Sequence, residues 1–265
     1  MAILGDKEES KIGLRDRRYV VERLMREKRS EEMEVLEEVF DRPTLMIVYQ
    51  MLNRGELSKV CGVVKSGKES RVYWGKDARN RDVALKIYLT TSAEFKKGML
   101  TYIEGDPRFT RHKRDTRSLI YIWAQKEFKN LELANSVGVR VPKPKKVQGN
   151  VLLMEFIGAK GQPAPLLNEA RLTAPTRIYK QVLREIEKLY RKARLVHADL
   201  SEYNIMILRD KPVVFDLSQS VPLEHPMAEL FLKRDILNIA TYFAALGVKV
   251  IPYLEFYDRI VRGID

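Results

Sequence analysis

The sequence predicts an α+β protein built from two unlike lobes, a β-rich N-lobe and a mainly helical C-lobe. Between about residues 60 and 90 the apolar residues recur with a period of two, which is typical of β-strands. Beyond residue 165 they recur at helical spacing, and a Gly/Pro-rich connector at 158–165 separates the two patterns. Such lobes would bind a ligand in the cleft between them. We therefore expect a helical extension over 1–58, an N-lobe over 59–157 and a C-lobe over 158–265.

Composition limits the class of protein before any motif is considered. The chain has 265 residues, and its 48 basic and 36 acidic side chains leave a net charge of +12, which favours a polyanionic partner. No apolar run approaches the roughly 20 residues of a membrane span, and the acidic start predicts no secretory leader. Cys61 is the single cysteine, which excludes an internal disulfide and, with three histidines, a structural zinc site. We expect a globular, cytoplasmic protein.

The N-terminal elements follow from spacing and turn signals. Apolar residues at helical spacing from Met33 to Phe40 predict a helix, and Asp41-Arg42-Pro43 then opens a second one, because proline is favoured in a first turn. Gly55 is a suitable residue to close that helix. Alternating apolar residues predict strands at Val72–Trp74 and Val83–Tyr88.

The middle of the chain is harder to assign. The segment from Thr90 to about Thr116 contains Gly98 and a Gly-Asp-Pro sequence and is predicted to be a long loop. A helix is expected from Leu119 to Ser136, then a strand from Asn150 to Phe156. The clearest helix of the C-lobe runs from about Thr173 to Ala193.

Residues Gly62 to Glu69 nearly match the phosphate-binding loop G-x-x-x-x-G-K-[ST]. The last position is Glu69, which has no hydroxyl for magnesium, and a strand pattern follows where a helix is required. A glycine-rich hairpin over phosphates, with Val72 capping the adenine, is the other functional interpretation, although only Gly67 of its three glycines is present. An ordinary hairpin turn accounts for these residues equally well.

A lysine and a glutamate are each predicted to lie in apolar surroundings. Lys86 interrupts an apolar strand and needs an anionic partner if it is buried. Glu127 shares a predicted helix face with Trp123, Leu131 and Ala134, where a carboxylate is costly unless it is paired. We expect the two side chains to pair, the alternative being a half-exposed Glu127.

The stretch from Leu195 to Asn204 carries the strongest chemical signal. Asp199 and Asn204 have the spacing by which a catalytic loop presents a base to a hydroxyl acceptor and an amide oxygen to magnesium. Asp216 ends an apolar strand 17 residues after Asp199. Carboxylate and amide oxygens are the ligands that Mg²⁺ prefers.

These residues together resemble the RIO family of atypical protein kinases, most closely its first branch and its compact archaeal members. The resemblance covers most of the chain. The motifs that carry it are Ser66-Gly-Lys-Glu-Ser-Arg-Val-Tyr73, Lys126-Glu-Phe-x-Asn130-Leu, Leu153-Met-Glu-Phe-Ile-Gly158, Val196-His-Ala-Asp-Leu-Ser-Glu-Tyr-Asn204 and Asp216-Leu-Ser-Gln-Ser220.

That resemblance implies a reduced bilobal protein-kinase-like fold that uses ATP with Mg²⁺, or with Mn²⁺ in its place. It implies an autophosphorylating serine/threonine kinase, an ATPase, or both, acting in maturation of the small ribosomal subunit. By matching positions, Lys86 would hold the α- and β-phosphates and pair with Glu127, Asp199 would be the catalytic base, and Asn204 and Asp216 would bind the metal. The family is also associated with an aspartyl-phosphate at the position of Asp216.

The resemblance also implies how the nucleotide is held. The backbone of Glu155 and Ile157 would bind adenine, Ser66 and Lys68 would approach the phosphates, and Pro163 would line the cleft. Ordinary kinases have a lysine two residues after the catalytic aspartate, where this chain has Ser201. Phosphorylation of peptides, self-phosphorylation and ATP hydrolysis therefore all stay open.

Two other classes of function share part of this sequence pattern. A catalytically weak RNA- or ribosome-binding scaffold that uses ATP as a switch would not need the complete set of Lys86, Asp199, Asn204 and Asp216. A small-molecule kinase would share the H-x-D-x4-N loop, but the Ser201-Glu202 pair and the Asp216-Leu-Ser-Gln sequence favour the RIO family.

The sequence has three basic clusters: one predicted helix, the residues from Arg140 to Lys146, and the 96–117 segment. The helix is the most regular of them. Its basic residues fall at steps of three and four and form a basic stripe, Arg177, Lys180, Arg184, Lys188 and Arg191. A solvated face, interrupted by Glu185 and Glu187, explains this pattern as well as contact with ribosomal RNA phosphates does. The partners implied are ATP and a precursor of the small ribosomal subunit with its rRNA, and no membrane.

Overall fold

A computed structural model of the chain describes residues 36–90, 93–109 and 115–263 and confirms the α+β class. Most of the predicted extension, residues 1–35, lies outside these ranges, and the domain boundaries stay predictions. The helices are α1 (Arg42–Asn53), α2 (Ala93–Ile103), α3 (Thr116–Ser136), α4 (Pro175–Arg191), α5 (Ala228–Ala245) and α6 (Tyr253–Arg262). The strands are β1 (Lys59–Ser66), β2 (Ser70–Lys76), β3 (Asp82–Tyr88), β4 (Pro144–Gln148), β5 (Val151–Glu155), β6 (Gly158–Ala159), β7 (Gln162–Pro163), β8 (Leu195–Val196), β9 (Ile205–Ile207), β10 (Pro212–Val214) and β11 (Val221–Pro222).

The N-lobe is a five-stranded antiparallel sheet in the order β1-β2-β3-β5-β4. The central strand, β3, is buried along most of its length, which explains its nearly continuous apolar sequence. Lys86 lies in the middle of this strand, opposite Val72 of β2 and Leu152 of β5. The sheet therefore places the lysine where two neighbouring strands hold its backbone.

Helix α1 packs on the sheet and begins as the sequence predicts. The Asp41 side chain accepts a hydrogen bond from the backbone N–H of Thr44, a cap that contributes about 1 kcal/mol. Residues 36–39 before it are also helical. Val48 and Met51, both fully buried, join Leu85 of β3 in one apolar cluster. Burial against β3 ties α1 to the strand that carries Lys86.

The prediction of a long loop over 90–116 is wrong for most of that segment. Helix α2 occupies residues 93–103, and a single 3₁₀ turn follows at Pro107–Phe109. Met99 and Ile103, four residues apart, are both 1% exposed and pack with Trp123 of α3. Their tertiary burial outweighs the cost of about 1 kcal/mol for a glycine inside a helix. Residues 110–114 lie outside the described residues.

The C-lobe is built around α4 and α5. One face of α4 is buried, with Ile178, Val182 and Ile186 at most 4% exposed. This face packs with Phe243 of α5 and Phe256 of α6 in the largest apolar cluster. In the described part of the chain, no helix combines the length and apolarity that a membrane span requires.

The Gly/Pro-rich connector between the lobes is a short hairpin of β6 and β7. Gly161 in its turn has a φ of 79°, and a Cβ there would lie 2.6 Å from the Trp74 ring. Only glycine fits this position, because both the backbone conformation and the contact exclude a side chain. The close approach to β2 sets Pro163 at the edge of the cleft.

Candidate active site

A cavity of about 630 Å³ lies between the sheet and the C-lobe, a size that suits a small organic ligand. Its lining combines apolar residues with a few polar groups. The apolar lining includes Val72, Ala84, Met154, Leu166 and Met206. The predicted site residues among its lining are Lys68, Lys86, Glu127, Glu155, Ile157, Pro163 and Asp216.

Lys86 joins the two lobes at the inner end of this cavity. Its Nζ donates to Glu127 Oε1 at 2.9 Å and to Asp216 Oδ1 at 2.8 Å. The side chains of Lys86 and Glu127 are 7% and 1% exposed, whereas that of Asp216 is 42% exposed. One ammonium group therefore fixes a helix of the N-lobe and a loop of the C-lobe at the same time.

Lys86 and Asp216 keep their charges at neutral pH, whereas burial raises the pKa of Glu127 and Lys86 opposes that shift. Burial alone would lower the pKa of Lys86, but Asp216 and Glu127 raise it well above its ordinary value. Burial opposes the charge on Asp216 too, yet Lys86 holds the pKa of Asp216 at about 2. Lys86 is therefore an ammonium, and Asp216 is a carboxylate.

Two hydroxyl groups complete the contacts of the triad. Tyr88 donates from its hydroxyl to Glu127 Oε2, and Ser218 donates to Asp216 Oδ1 at 2.9 Å. Both protein contacts of Asp216 named here fall on Oδ1, so Oδ2 is the oxygen that it offers to a ligand. Sequence reasoning did not find Tyr88, although its position two residues after Lys86 on one strand predicts the same side of the sheet.

Asp199 and Asn204 contact each other in the loop between β8 and β9, and neither is among the residues that line the cavity. Asn204 Nδ2 donates to the carbonyl of Asp199 at 2.6 Å and to its Oδ2 at 3.2 Å. Burial raises the pKa of Asp199, and Asn204 partly offsets this, while Asp216 adds to it. As the pH falls, Asp199 therefore takes up a proton before Asp216 does.

The loop that carries Asp199 is clamped from α5. Ala198 has a φ of 67°, which is unfavourable for a residue with a side chain. Its N–H donates to Asp235 Oδ2 at 2.8 Å, its carbonyl accepts from Arg234, and Leu200 N–H donates to Asp235 Oδ1 at 2.9 Å. Burial raises the pKa of Asp235 to about 7, although these amides lower it. This over-determined geometry keeps the strained turn in place.

His197 supports the same loop as a neutral ring. It is 2% exposed, and its Nε2 lies 3.1 Å from the carbonyl of Phe215. Burial lowers the pKa of His197 to about 4, so the ring is uncharged at neutral pH. A neutral Nε2–H can donate to that carbonyl and tie the Asp199 loop to the residue before Asp216.

The strand β5 leads into the segment predicted to bind adenine. The backbone N–H of Glu155 donates to the carbonyl of Lys143 at 2.8 Å, so Glu155 can offer a ligand only its carbonyl. The carbonyl of Ile157 accepts from Ala164 N–H at 2.8 Å, so the backbone group that Ile157 can offer to a ligand is its N–H. One acceptor and one donor two residues apart suit the edge of a purine ring.

The β1–β2 turn lines the cavity through Lys65, Gly67, Lys68 and Glu69. Ser66, the last residue of β1, pairs with Arg71 and is not among the lining residues. A strand follows the turn directly, so the structure provides no helix N-terminus for a P-loop.

The oxygen atoms at this site fit a magnesium ion. Asp216 offers Oδ2, and Asn204, whose Nδ2 donates to Asp199, keeps its amide oxygen for a ligand. Magnesium takes hard oxygen ligands, often only one or two from the protein. In the described residues, no group of three or more His, Cys, Asp and Glu side chains is placed to bind a metal.

Comparisons with known proteins point to one family. The RIO domain family matches residues 71–256. The RIO-type serine/threonine-protein kinase Rio1 of Haloferax volcanii is 40% identical over 244 residues, which are 92% of this chain and 83% of that protein. Its namesake in Methanocaldococcus jannaschii is 39% identical over 265 residues, covering 99% of this chain and 89% of that protein.

A solved structure shares the fold. It is described as the Rio2 kinase-ADP/Mg²⁺-phosphoaspartate complex from Chaetomium thermophilum, and it matches with a TM-score of 0.62 at 20% identity. The match covers 80% of this chain and 64% of that kinase, just under two thirds of its length. The fold and the relatives lead to one conclusion: this chain belongs to the RIO family of atypical serine/threonine-protein kinases, and within it to the Rio1 type.

Proposed function

We propose that this protein transfers the γ-phosphoryl group of Mg-ATP to serine or threonine hydroxyls, its own included, and hydrolyses ATP, in maturation of the small ribosomal subunit. One observation carries the catalytic part. Lys86 contacts Glu127 at 2.9 Å and Asp216 at 2.8 Å inside a cavity of ligand size. The loop that carries Asp199 and Asn204 is bonded to Phe215, the residue before Asp216. These are the groups that phosphoryl transfer requires, because its catalysis is mainly positioning and charge neutralisation.

Transfer to a hydroxyl acceptor uses the charges as the site presents them. The acceptor oxygen attacks the γ-phosphorus, its proton goes to the Asp199 carboxylate, and the bond to the bridging oxygen of ADP breaks. Lys86 neutralises the α- and β-phosphates, and the Ile157 N–H and Glu155 carbonyl hold the adenine. A magnesium ion bound by Asp216 and Asn204 would neutralise the charge that develops on the phosphate oxygens.

Hydrolysis is proposed to pass through Asp216 itself. Its Oδ2 attacks the γ-phosphorus, ADP leaves, and water then cleaves the aspartyl-phosphate to restore the carboxylate. The phosphoaspartate named for the Rio2 structure supports this route. With a pKa of about 2, Asp216 is ionised at neutral pH, as attack on phosphorus requires.

Replacing Asp199 with asparagine tests the proposed base. We expect the transfer of label from γ-labelled ATP to protein hydroxyls to fall by roughly 10²- to 10⁴-fold, the usual effect of losing a general base. The affinity for nucleotide should stay within about twofold, because Asp199 does not line the cavity. Protein-bound label and free phosphate are measured in parallel.

Asp210→Asn is the matched control, since this aspartate is 63% exposed and makes only a 3.7 Å ion pair with Arg177. If Asp199→Asn loses the label on protein hydroxyls but still releases phosphate, Asp199 acts in transfer to hydroxyl acceptors and Asp216 acts in hydrolysis. Wild-type rates of both products in Asp199→Asn would contradict the assignment. A wild type that binds ATP without turnover would favour the scaffold that uses ATP as a switch.

The ribosomal part of the proposal depends on the basic stripe. Its C-terminal members are engaged within the protein: Lys188 Nζ contacts Glu185 at 2.9 Å, and Arg191 donates to carbonyls of α6. Arg177, Lys180 and Arg184 are exposed. Glu185 is buried and accepts from the Arg140 backbone N–H, so it does not interrupt the exposed charge. Three exposed cations on one helix, of which Arg177 makes only a 3.7 Å ion pair with Asp210, suit the phosphates of an RNA.

Reversing this charge tests the RNA contact. For binding to small ribosomal subunits, the logarithm of the binding constant should fall less steeply with the logarithm of the salt concentration in Arg177→Glu/Lys180→Glu/Arg184→Glu. We expect the slope to decrease in magnitude by roughly 2.7, about 0.9 per phosphate contact. ATP turnover should be unchanged, because the stripe lies outside the cavity. Binding is measured between 50 and 200 mM salt, concentrations over which such contacts change affinity by orders of magnitude.

An equal change of net charge elsewhere is the control. Arg54, Lys59 and Arg79 are exposed residues beside or in the N-lobe sheet, and their replacement by glutamate changes the charge by the same amount. An equal loss of binding in both triple variants would contradict a local contact and leave only a net-charge effect.

A further inference from the structure

Helix α3 carries two fully buried polar side chains that the proposed chemistry does not use. Lys126 and Asn130 are one helical turn apart, and each is 0% exposed. Neither lines the cavity, although Lys126 is adjacent in sequence to Glu127, which does. Their side chains leave the helix towards the C-lobe rather than towards Lys86.

All their hydrogen bonds named here go to the segment that follows Asp216. Lys126 Nζ donates to the carbonyl of Ser218 at 3.1 Å and to that of Ser220. Asn130 Nδ2 donates to the carbonyls of Leu217 at 2.8 Å and Ser220 at 2.9 Å. Four bonds from one helix thus hold the carbonyls of Leu217, Ser218 and Ser220. The Leu217 carbonyl also accepts from the backbone N–H of Ser220. Leaving a buried carbonyl without a donor is costly.

The same segment is bonded on its other side to the catalytic groups. Ser218 Oγ donates to Asp216 Oδ1 at 2.9 Å, and Ser220 Oγ donates to the carbonyl of His197 at 3.1 Å. A continuous set of hydrogen bonds therefore runs from α3 to Asp216 and to the loop that carries Asp199. Glu127, on the same helix, reaches Asp216 by a second route through Lys86.

Packing alone does not account for a lysine at this position. Burial lowers the pKa of Lys126 to about 7, although Asp106 opposes that shift, so keeping an ammonium here is costly. A methionine would fill similar volume without that cost, and apolar residues in place of buried charges are often neutral or stabilising. Among the residues that the structure describes, none bonds to Asn130 Oδ1, so the Asn130 side chain makes its hydrogen bonds through Nδ2.

We propose that Lys126 and Asn130 are positioning residues that fix the segment 217–220 to α3, so that Asp216 and Glu127 are held as one rigid unit around Lys86. This inference rests on the proposed function, in which Asp216 binds the magnesium ion of Mg-ATP. Ordinary packing would predict loss of stability alone. A positioning role predicts loss of the magnesium-dependent part of nucleotide binding.

The test compares ADP binding with and without the metal. In Lys126→Met and Asn130→Leu, we expect the dissociation constant for ADP with excess Mg²⁺ to rise by about tenfold or more. With EDTA in place of Mg²⁺ it should stay within about twofold, because the adenine contacts at Glu155 and Ile157 lie elsewhere in the cavity. Calorimetry measures both constants, and thermal unfolding reports whether each variant is folded.

Lys129→Met is the matched control, an exposed lysine of the same helix, and it should bind ADP as the wild type does. If Lys126→Met does not fold, Asn130→Leu and Ser218→Ala are used for the test. Ser218→Ala removes the hydrogen bond from the Ser218 hydroxyl to Asp216, which belongs to the same set of bonds. Wild-type Mg²⁺ dependence in the variants would overturn the proposal. So would an equal loss of affinity with and without Mg²⁺. A wild type with no Mg²⁺ effect would instead overturn the proposed metal site.

Discussion

Asp216→Ala is expected to abolish both protein-bound label and phosphate release from Mg-ATP, with a fall in turnover of at least roughly 10³-fold. The substitution removes the proposed metal ligand and nucleophile and one of the two carboxylates that hold Lys86. Lys86 keeps its contact with Glu127, so the ammonium stays paired. The substitution also removes an ion pair of Lys86 that stabilises the fold, so we expect a moderate fall in melting temperature with the protein still folded. Turnover and thermal unfolding are measured on the same preparation.

Asp258→Ala controls for the loss of a carboxylate, because Asp258 is half exposed and forms only a 3.5 Å pair with Arg262 on α6. This variant should turn over ATP at the wild-type rate. Retention of more than a tenth of either activity in Asp216→Ala would contradict the assignment of Asp216 to the reaction.

Lys86→Met is expected to lose activity and stability together. Removing the ammonium leaves the Glu127 carboxylate, 1% exposed, without its charge partner, and such a loss costs about 3–5 kcal/mol of unfolding free energy. Burial would then raise the pKa of Glu127 further, so the folded state would bind a proton that the unfolded state releases. The free energy of unfolding of Lys86→Met should therefore increase as the pH falls. The increase should stop at the pH where Glu127 is also protonated in the unfolded chain. Urea unfolding at several pH values measures this.

Glu127→Gln completes a double-mutant cycle with Lys86→Met. Neutralising the carboxylate should restore much of the stability of Lys86→Met without restoring its activity, because the cation for the phosphates is still missing. Strictly additive effects on the unfolding free energy would contradict a coupled, buried pair. A pH-independent stability of Lys86→Met would contradict a buried, ionised Glu127.

Local patterns in the sequence predict most of the elements and several of the site residues. The helix face shared by Trp123, Glu127 and Leu131 predicts a buried glutamate, and all three are at most 2% exposed. The turn chemistry at Asp41 and Pro43 predicts the start of α1 correctly. These features depend on residues within one or two turns of each other, so neighbouring positions carry the information.

The segment over 90–109 shows where local reasoning fails. Gly98 and the Gly-Asp-Pro sequence favour a loop, yet residues 93–103 form α2. Met99 and Ile103 gain their stability from Trp123 of α3, which lies in a different element. Intrinsic propensity is a weak preference that tertiary burial overrides.

The sequence by itself determined the α+β class, the order of the chemical motifs and the identity of the charged residues that a phosphoryl-transfer site needs. Only the tertiary structure decided how they meet: that Lys86 contacts Glu127 and Asp216 at once, that Ser66 lies outside the cavity lining, and that Lys126 reaches the carbonyls after Asp216. The physical reason is separation along the chain. These bonds join residues 41 to 130 positions apart, and contacts over such distances exist only once the tertiary fold has formed.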